Sequence, residues 1–405
     1  MIRVATVVAT LLAVLAGATL SPAVGDTSRA SVAAEPRGGF TVERSMAMND
    51  PTRNRGQVAR ELRTLIEHTP RGATISIMTF YMASSITWPA LQAAYRRGVD
   101  IRAIFYGGPK GQPLPGVSSG GVKLTEMIRA GQRQGRRGSW VVWTKNSARG
   151  RDGKTTLHTK FWQFSKVGRT RKVTVVGSYN NSDAADARAY SAMVTLTLPD
   201  LYDAFQRVFA ESRRDRKPPG NPLRTASGEG WDAYFTPALP ITRDNDPVMD
   251  RLRAIPGAPE TRIVVSMYSW QGYRGEWIAR RLATMMAGGA KVTVVVGPDV
   301  KPPVLRILRA AGARLEDGCW RTGSRTRPYA YTHDKEMTAT WVKRGETHYA
   351  AWIGSDDWGN GGGGSQSDQA TVGLYDEWAF NRLNKLLAPQ IAHEPDNLAP
   401  CDPLP

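Results

Sequence analysis

Apolar and polar residues run in the same order twice along this chain. Residues 73–81, Ala-Thr-Ile-Ser-Ile-Met-Thr-Phe-Tyr, form a short and largely apolar run bounded by Arg71-Gly72, which predicts a buried strand. Residues 88–97 follow with helical character and stop at Gly98, and 99–106 then predict a second strand. The second half repeats the order. Residues 262–268 read as a strand, 276–287 as a helix stopped by Gly288-Gly289, and 290–296 as the next strand. Gly98 and Gly289 are 191 residues apart, His158 and His333 175, and Gly177 and Gly354 177, a drift that loops of unequal length explain. Strands alternating with helices predict an α/β fold with mostly parallel sheets. Residues 213–230, rich in charge, Pro and Gly, read as a surface connection between two copies of one unit.

Composition narrows the setting. An apolar fraction of 41% over 405 residues suits a globular protein with a sizeable core. Arg3, the apolar run 4–20 and the small residues 21–25 have the order of a secretory signal peptide, with cleavage after Gly25 or Ala34 both open. A retained anchor helix is the alternative. No later segment approaches the ~20 apolar residues of a membrane span, so the mature protein is expected to be secreted and free of a transmembrane span. Cys319 and Cys401 are the only cysteines and are the candidates for one disulfide in an oxidising compartment. The net charge of +18 attracts polyanions, whether nucleic acid, anionic lipid or cell-wall phosphate.

Chemistry concentrates in two short segments. Of five histidines, two stand in equivalent places, in Leu157-His158-Thr159-Lys160 and Thr332-His333-Asp334-Lys335. If both segments are strands, residues i and i+2 share a face, which sets each imidazole beside an ammonium. A nucleophile or proton donor next to a fixed cation is what attack on a phosphodiester requires. Each pair is followed by a strand ending in Gly-Ser, at Gly177-Ser178 and Gly354-Ser355.

In these motifs the sequence resembles the phospholipase D superfamily, whose repeat is H-x-K-x4-D followed by G-S-x-N. The resemblance spans roughly residues 55–390. It implies two tandem α/β repeats packed as a pseudo-twofold α-β-β-α sandwich, one active site at the seam, a phosphohistidine intermediate and no cofactor or metal. Carried over, His158, Lys160, His333 and Lys335 are catalytic, and Ser178, Asn180, Ser355 and Asp357 bind substrate. Asp368, fourteen residues past Gly354, is expected to orient His333, the equivalent residue after Gly177 being Ser191. The chain also departs from the pattern. Ser165 and Thr340 stand where the motif aspartates belong, and Asp357 replaces the second asparagine. Which histidine is the nucleophile is left open.

The expected organisation is therefore a leader over 1–34, repeats over 35–215 and 231–405, and a connection over 216–230. The expected activity is that of a secreted phosphodiesterase on the headgroups of anionic or zwitterionic phospholipids, with peripheral membrane contact. An extracellular nuclease and a catalytically impaired polyanion-binding protein are the rivals. Arg133, Arg136, Arg137, Lys145, Arg149, Arg151 and Lys154, interleaved with Trp140 and Trp143, could follow a nucleic-acid backbone or lie at an anionic membrane. A buried Trp140–Trp143 strand between solvated basic loops is the plainer alternative, and it is preferred.

Overall fold

The computed structural model describes residues 39–150, 153, 155–321 and 329–393. The leader, Arg151, Lys154 and Cys401 lie outside them. Cys319 is disulfide-bonded.

In the first half, the strand Thr74–Thr79 pairs in parallel with Asp100–Tyr106, which pairs in parallel with the edge strand Trp140–Thr144. On its other side Thr74–Thr79 meets Lys160–Val167 antiparallel, followed by Thr170–Gly177 and Ala189–Leu196, also antiparallel. The second half has the same order: Arg314–Asp317, Lys291–Val300, Arg262–Trp270, Lys335–Lys343, Glu346–Gly354 and Thr371–Leu374. Each sheet is thus mixed, which corrects the expectation of mostly parallel sheets. Parallel pairs occur where a helix carries the chain back across the sheet, whereas two-residue turns can join only antiparallel neighbours. At one such turn, between Lys343 and Glu346, Arg344 and Gly345 both have positive φ, the conformation that matches strand twist in a tight hairpin.

Three apolar clusters fill the structure. One lies under the helices Gln57–Glu67, Thr87–Arg97 and Ser119–Arg133, and another under Pro247–Ala254, Gly272–Ala287 and Pro302–Ala310. The third joins the two sheets, with Val176, Ala192 and Val194 on one side and Ile353, Val372 and Leu374 on the other. This is the α-β-β-α arrangement. Pro199–Ser212 and Glu377–Ile391 add Phe205, Phe209, Leu383 and Leu387 to the central cluster. No helix among the described residues is long and apolar enough to cross a membrane.

The halves also exchange backbone. Ala330–Thr332, from the second half, pairs in parallel with Ala189 and Tyr190 at the edge of the first sheet. Reciprocally, Leu157 forms a parallel bridge with Asp368. The residue before or beside each histidine is therefore held by the opposite half, and the seam that brings the motifs together is hydrogen-bonded.

The basic run does not form a continuous surface. Trp140 packs on Phe209, and Trp143 donates its indole N–H to Thr125. Arg136 lies over the Tyr95 ring and donates to Val99 O at 2.6 Å, while Arg149 is fully buried. The strand of the plainer reading forms, but Trp140–Trp143 are half-buried at a sheet edge rather than buried, and Arg149 is not in a solvated loop.

Candidate functional site

The regular strands begin at Lys160 and Lys335, so His158 and His333 stand just ahead of them rather than on them. The reason is cross-half pairing. His158 N–H donates to Asp368 O at 3.0 Å and His333 N–H to Tyr190 O at 2.8 Å. Each lysine still lies beside its histidine, because Lys160 Nζ donates to His158 O at 2.5 Å and Lys335 Nζ to His333 O at 2.7 Å. Both imidazoles are almost buried, at 8% and 7% exposure.

Each pair has a matching aromatic that sequence reasoning missed. Phe80 meets His158 with ring centroids 5.1 Å apart, and Lys160 Nζ lies 5.5 Å from the Phe80 ring. Tyr268 repeats this with His333 at 4.8 Å and Lys335 at 4.5 Å. These aromatics follow Thr79 and Met267, the residues registered opposite the two lysines. An aromatic at the end of the first strand of each repeat was the available signal. The rings shield the ammonium groups from water and favour their charge over the π face.

The reciprocal backbone bonds fix the register of the repeats. Tyr190 corresponds to Asp368, so Ser191 corresponds to Gln369, and not to Asp368 as expected. One extra residue in the second connection causes the slip. Asp368 does not orient His333. Its carboxylate instead accepts bonds from Ser147 Oγ at 2.8 Å, Ala148 N–H at 2.6 Å and Arg149 Nε at 3.3 Å. Gln369 is the residue that meets a histidine, with Oε1 3.2 Å from His158 Nδ1. Its amide nitrogen donates to Gly363 O. A carbonyl only accepts, so the amide must present oxygen to His158, which then carries its proton on Nδ1 and keeps a lone pair on Nε2. His333 Nδ1 and the opposing position's Ser191 Oγ both lack a protein partner. The two histidines are therefore held differently. Asp183 and Asp186, also near Ser191 in sequence, cap Ser85 and accept from Tyr179 instead.

The Gly-Ser motifs serve the backbone. A Cβ on Gly177 would lie 2.8 Å from Met193 Cα, and one on Gly354 2.6 Å from Thr371 Cα, so only glycine lets these strands approach so closely. The hydroxyls are taken: Ser178 Oγ donates to Glu336 at 2.8 Å and accepts from Ala192 N–H, and Ser355 Oγ accepts from Ala370 N–H. Both serines are fully buried, which corrects their expected role as phosphate ligands. Asn180 does keep an unpartnered Oδ1, and Asp357 Oδ1 is held only by the Lys335 ammonium at 3.4 Å. Ser165 and Thr340 lie five residues along their strands from the lysines, about 17 Å at ~3.3 Å per residue. Ser165 Oγ there accepts Thr74 N–H, so the missing aspartates leave the reacting groups untouched.

Asp357 sits between the pairs, 3.4 Å from Lys335 Nζ and 3.9 Å from His158 Nδ1. Burial pushes its carboxyl up to about 6, against the pull of Lys335 and Lys160. Burial, followed by the charges of Lys160 and Lys335, holds His158 well below the ordinary imidazole range. His333 is held down by burial, Lys335 and Lys160. Both lysines are also pushed down, chiefly by burial, with Asp357 opposing. The site is thus two neutral imidazoles flanked by two partly destabilised cations, a local charge pattern suited to receiving an anion. The glycine-rich loop closes one wall. A Cβ on Gly363 would overlap the Asp357 carboxylate and come within 3.1 Å of the His158 ring.

Residues 62–213 match a family model described as cardiolipin synthase, PLD-like domain. No curated protein sequence matches the chain. Among solved structures, phosphatidylserine synthase of Haemophilus influenzae is similar at 13% identity over 86% of each chain, with a TM-score of 0.55. Polyphosphate kinase of Porphyromonas gingivalis is similar at 12% identity over 88% of this chain and 53% of that one, with a TM-score of 0.53. This chain therefore spans about half the length of that kinase. At such identities the likeness is one of fold.

Proposed function

We propose that this protein is a secreted phosphodiesterase of phospholipase D type that cleaves phospholipid headgroups, with His158 as nucleophile and His333 as general acid and base. The observation that carries the reading is the hydrogen bond from His158 Nδ1 to Gln369, which leaves the proton off Nε2 of a neutral ring whose proton affinity Lys160 and Lys335 lower. Nε2 attacks phosphorus, a P–N bond forms, and the P–O bond to the alcohol breaks as His333 donates a proton to the leaving oxygen. Water then attacks phosphorus, gives its proton to His333 and releases Nε2. For the first step His333 must be protonated. A bound phosphodiester supplies the negative charge that offsets Lys335 and Lys160, two of the causes holding His333 neutral.

The leader-like N-terminus supports export, and the net charge of +18 supports a nucleic-acid diester as the second reading. Purified protein incubated in EDTA with phosphatidylcholine vesicles and with plasmid DNA separates the readings. Headgroup release without nicking supports the first and nicking without headgroup release the second. Binding without turnover of either would sink the catalytic proposal.

Gln369 acts through His158, so it is a positioning residue. Gln369→Leu is expected to lower kcat roughly 10–100-fold, the usual scale for losing a group that orients an imidazole, with KM nearly unchanged. Gln369→Glu should restore much of the rate, because a carboxylate also accepts from Nδ1–H. A change confined to KM would contradict this role.

A further inference from the structure

The Asp357 carboxylate contacts both His-Lys pairs, His158 at 3.9 Å and Lys335 at 3.4 Å, and it stands where the first repeat carries Asn180. Asp357 is 5% exposed, and its Oδ1 is held only by the ion pair to Lys335 Nζ at 3.4 Å. Its backbone is fixed. Asp357 N–H donates to Gly363 O at 3.3 Å, and its own carbonyl accepts from Gly359 N–H at 2.8 Å and from Arg274 at 3.1 Å. The backbone thus holds the Cα of Asp357 in place beside the loop that walls the site.

Charge makes this position a problem for an anionic substrate. A phosphodiester placed between Lys160 and Lys335 would sit against a carboxylate in a site from which water is largely excluded, and the repulsion would be strong. A neutral carboxylic acid in the same place does the opposite. Its O–H is a hydrogen-bond donor, as the amide N–H of asparagine would be. We propose that Asp357 is a substrate-binding residue that engages the phosphoryl oxygen as a neutral carboxylic acid, so that this site takes its phosphodiester with a proton on Asp357. The proposal rests on the phosphodiester reading of the site.

The groups facing Asp357 agree with a carboxyl balanced near neutrality. His158 and Lys160 face it from the first half, and Lys335 from the strand Lys335–Lys343. Asp356 next to it and Asp299 on Lys291–Val300 push its proton affinity up, and Tyr268 feels its charge from Arg262–Trp270. Burial and these acids win over the lysines, leaving the carboxyl at about 6. The sign follows directly. The binding-competent, protonated form prevails below about 6 and becomes scarce above it, and apparent affinity falls with the competent fraction.

Dimethyl phosphate is a suitable probe because it is a diester whose charge stays at minus one across the range. By calorimetry, the wild type should bind it about ten- to a hundred-fold more weakly at pH 8 than at pH 5. At pH 7 binding should take up more protons in the wild type than in Asp357→Asn. The Asn variant should bind at both pH values with the affinity the wild type has at pH 5. Asp357→Ala, which removes the donor, should bind more weakly than the wild type at pH 5 and equally at both pH values, and it covers the case in which the Asn variant does not fold. A flat wild-type profile overturns the proposal, as does an Asn variant that keeps the fall, since the histidines would then be its source. An Asn variant binding over tenfold tighter than wild type at pH 5 also overturns it, because Asp357 would be a competitor for the lysines. Absence of binding by every protein at every pH overturns the phosphodiester reading as well.

Discussion

His158→Ala is expected to lower phosphodiester turnover by about 10⁴-fold or more, because no other group forms the covalent intermediate, in a protein that stays folded. His158 is nearly buried, and its ring lies at the site among Gln369, Asp357 and Phe80 rather than in an apolar cluster. Its backbone bond to Asp368, which joins the halves, survives truncation of the ring. His333→Ala should behave differently according to leaving group. With an alkyl diester it too should be nearly inactive. With bis(p-nitrophenyl) phosphate, whose leaving group needs little protonation, His333→Ala should still form the first covalent bond. It should then accumulate phosphohistidine on residue 158, because the same histidine activates water in the second step. Mass spectrometry of the quenched protein checks this. Phosphate found on His333 in the wild type, or a His158→Ala protein keeping more than a few per cent of activity, would reverse the assignment.

Arg149→Met is expected to destabilise the fold by about 3–5 kcal/mol, the scale of breaking a buried ion pair from one side. Arg149 is fully buried and holds four partners from separate parts of the chain. It pairs with Asp368 at 3.3 Å and with Glu211 at 3.3 Å, and donates to Pro222 O at 2.9 Å and to Thr236 O. Removing it takes the cation from the buried Asp368 carboxylate, which burial already pushes up, and leaves it only the Ser147 and Ala148 donors. Adding Asp368→Asn should therefore recover part of the loss, since a neutral amide costs less to bury unpaired than a charge. Urea denaturation of the two single variants and the double variant measures the coupling. If the double variant is as unstable as the sum of the singles, the pair does not carry the cost.

These two residues illustrate where a linear reading succeeded and where it slipped. His158, Lys160, His333 and Lys335 were legible because a repeated spacing is visible without any fold, and chance produces one such motif far more readily than two in equivalent places. Asp368 was misplaced because counting residues from Gly354 assumes equal connections, and the second connection is one residue longer. In a backbone with alternating side chains, a slip of one residue exchanges a core-facing group for a site-facing one. Gln369 thus took the role expected of Asp368. The serines were misread for a related reason: the motif marks close strand approach, and the hydroxyl is spent on the neighbouring strand's backbone.

The sequence by itself determined the α/β class, the internal repeat and the four residues that bear charge and imidazole, since each is written as local pattern or spacing. Only the tertiary structure decided that the halves exchange backbone at the seam, that Gln369 sets the His158 tautomer, that the motif aspartate positions are remote, and that Asp357 stands between the lysines. Apart from the aspartate positions, which strand spacing alone makes remote, those relations depend on residues more than 150 positions apart meeting across one interface. Hydrogen-bond direction, burial and charge balance are properties of that meeting, and no stretch of chain carries them alone.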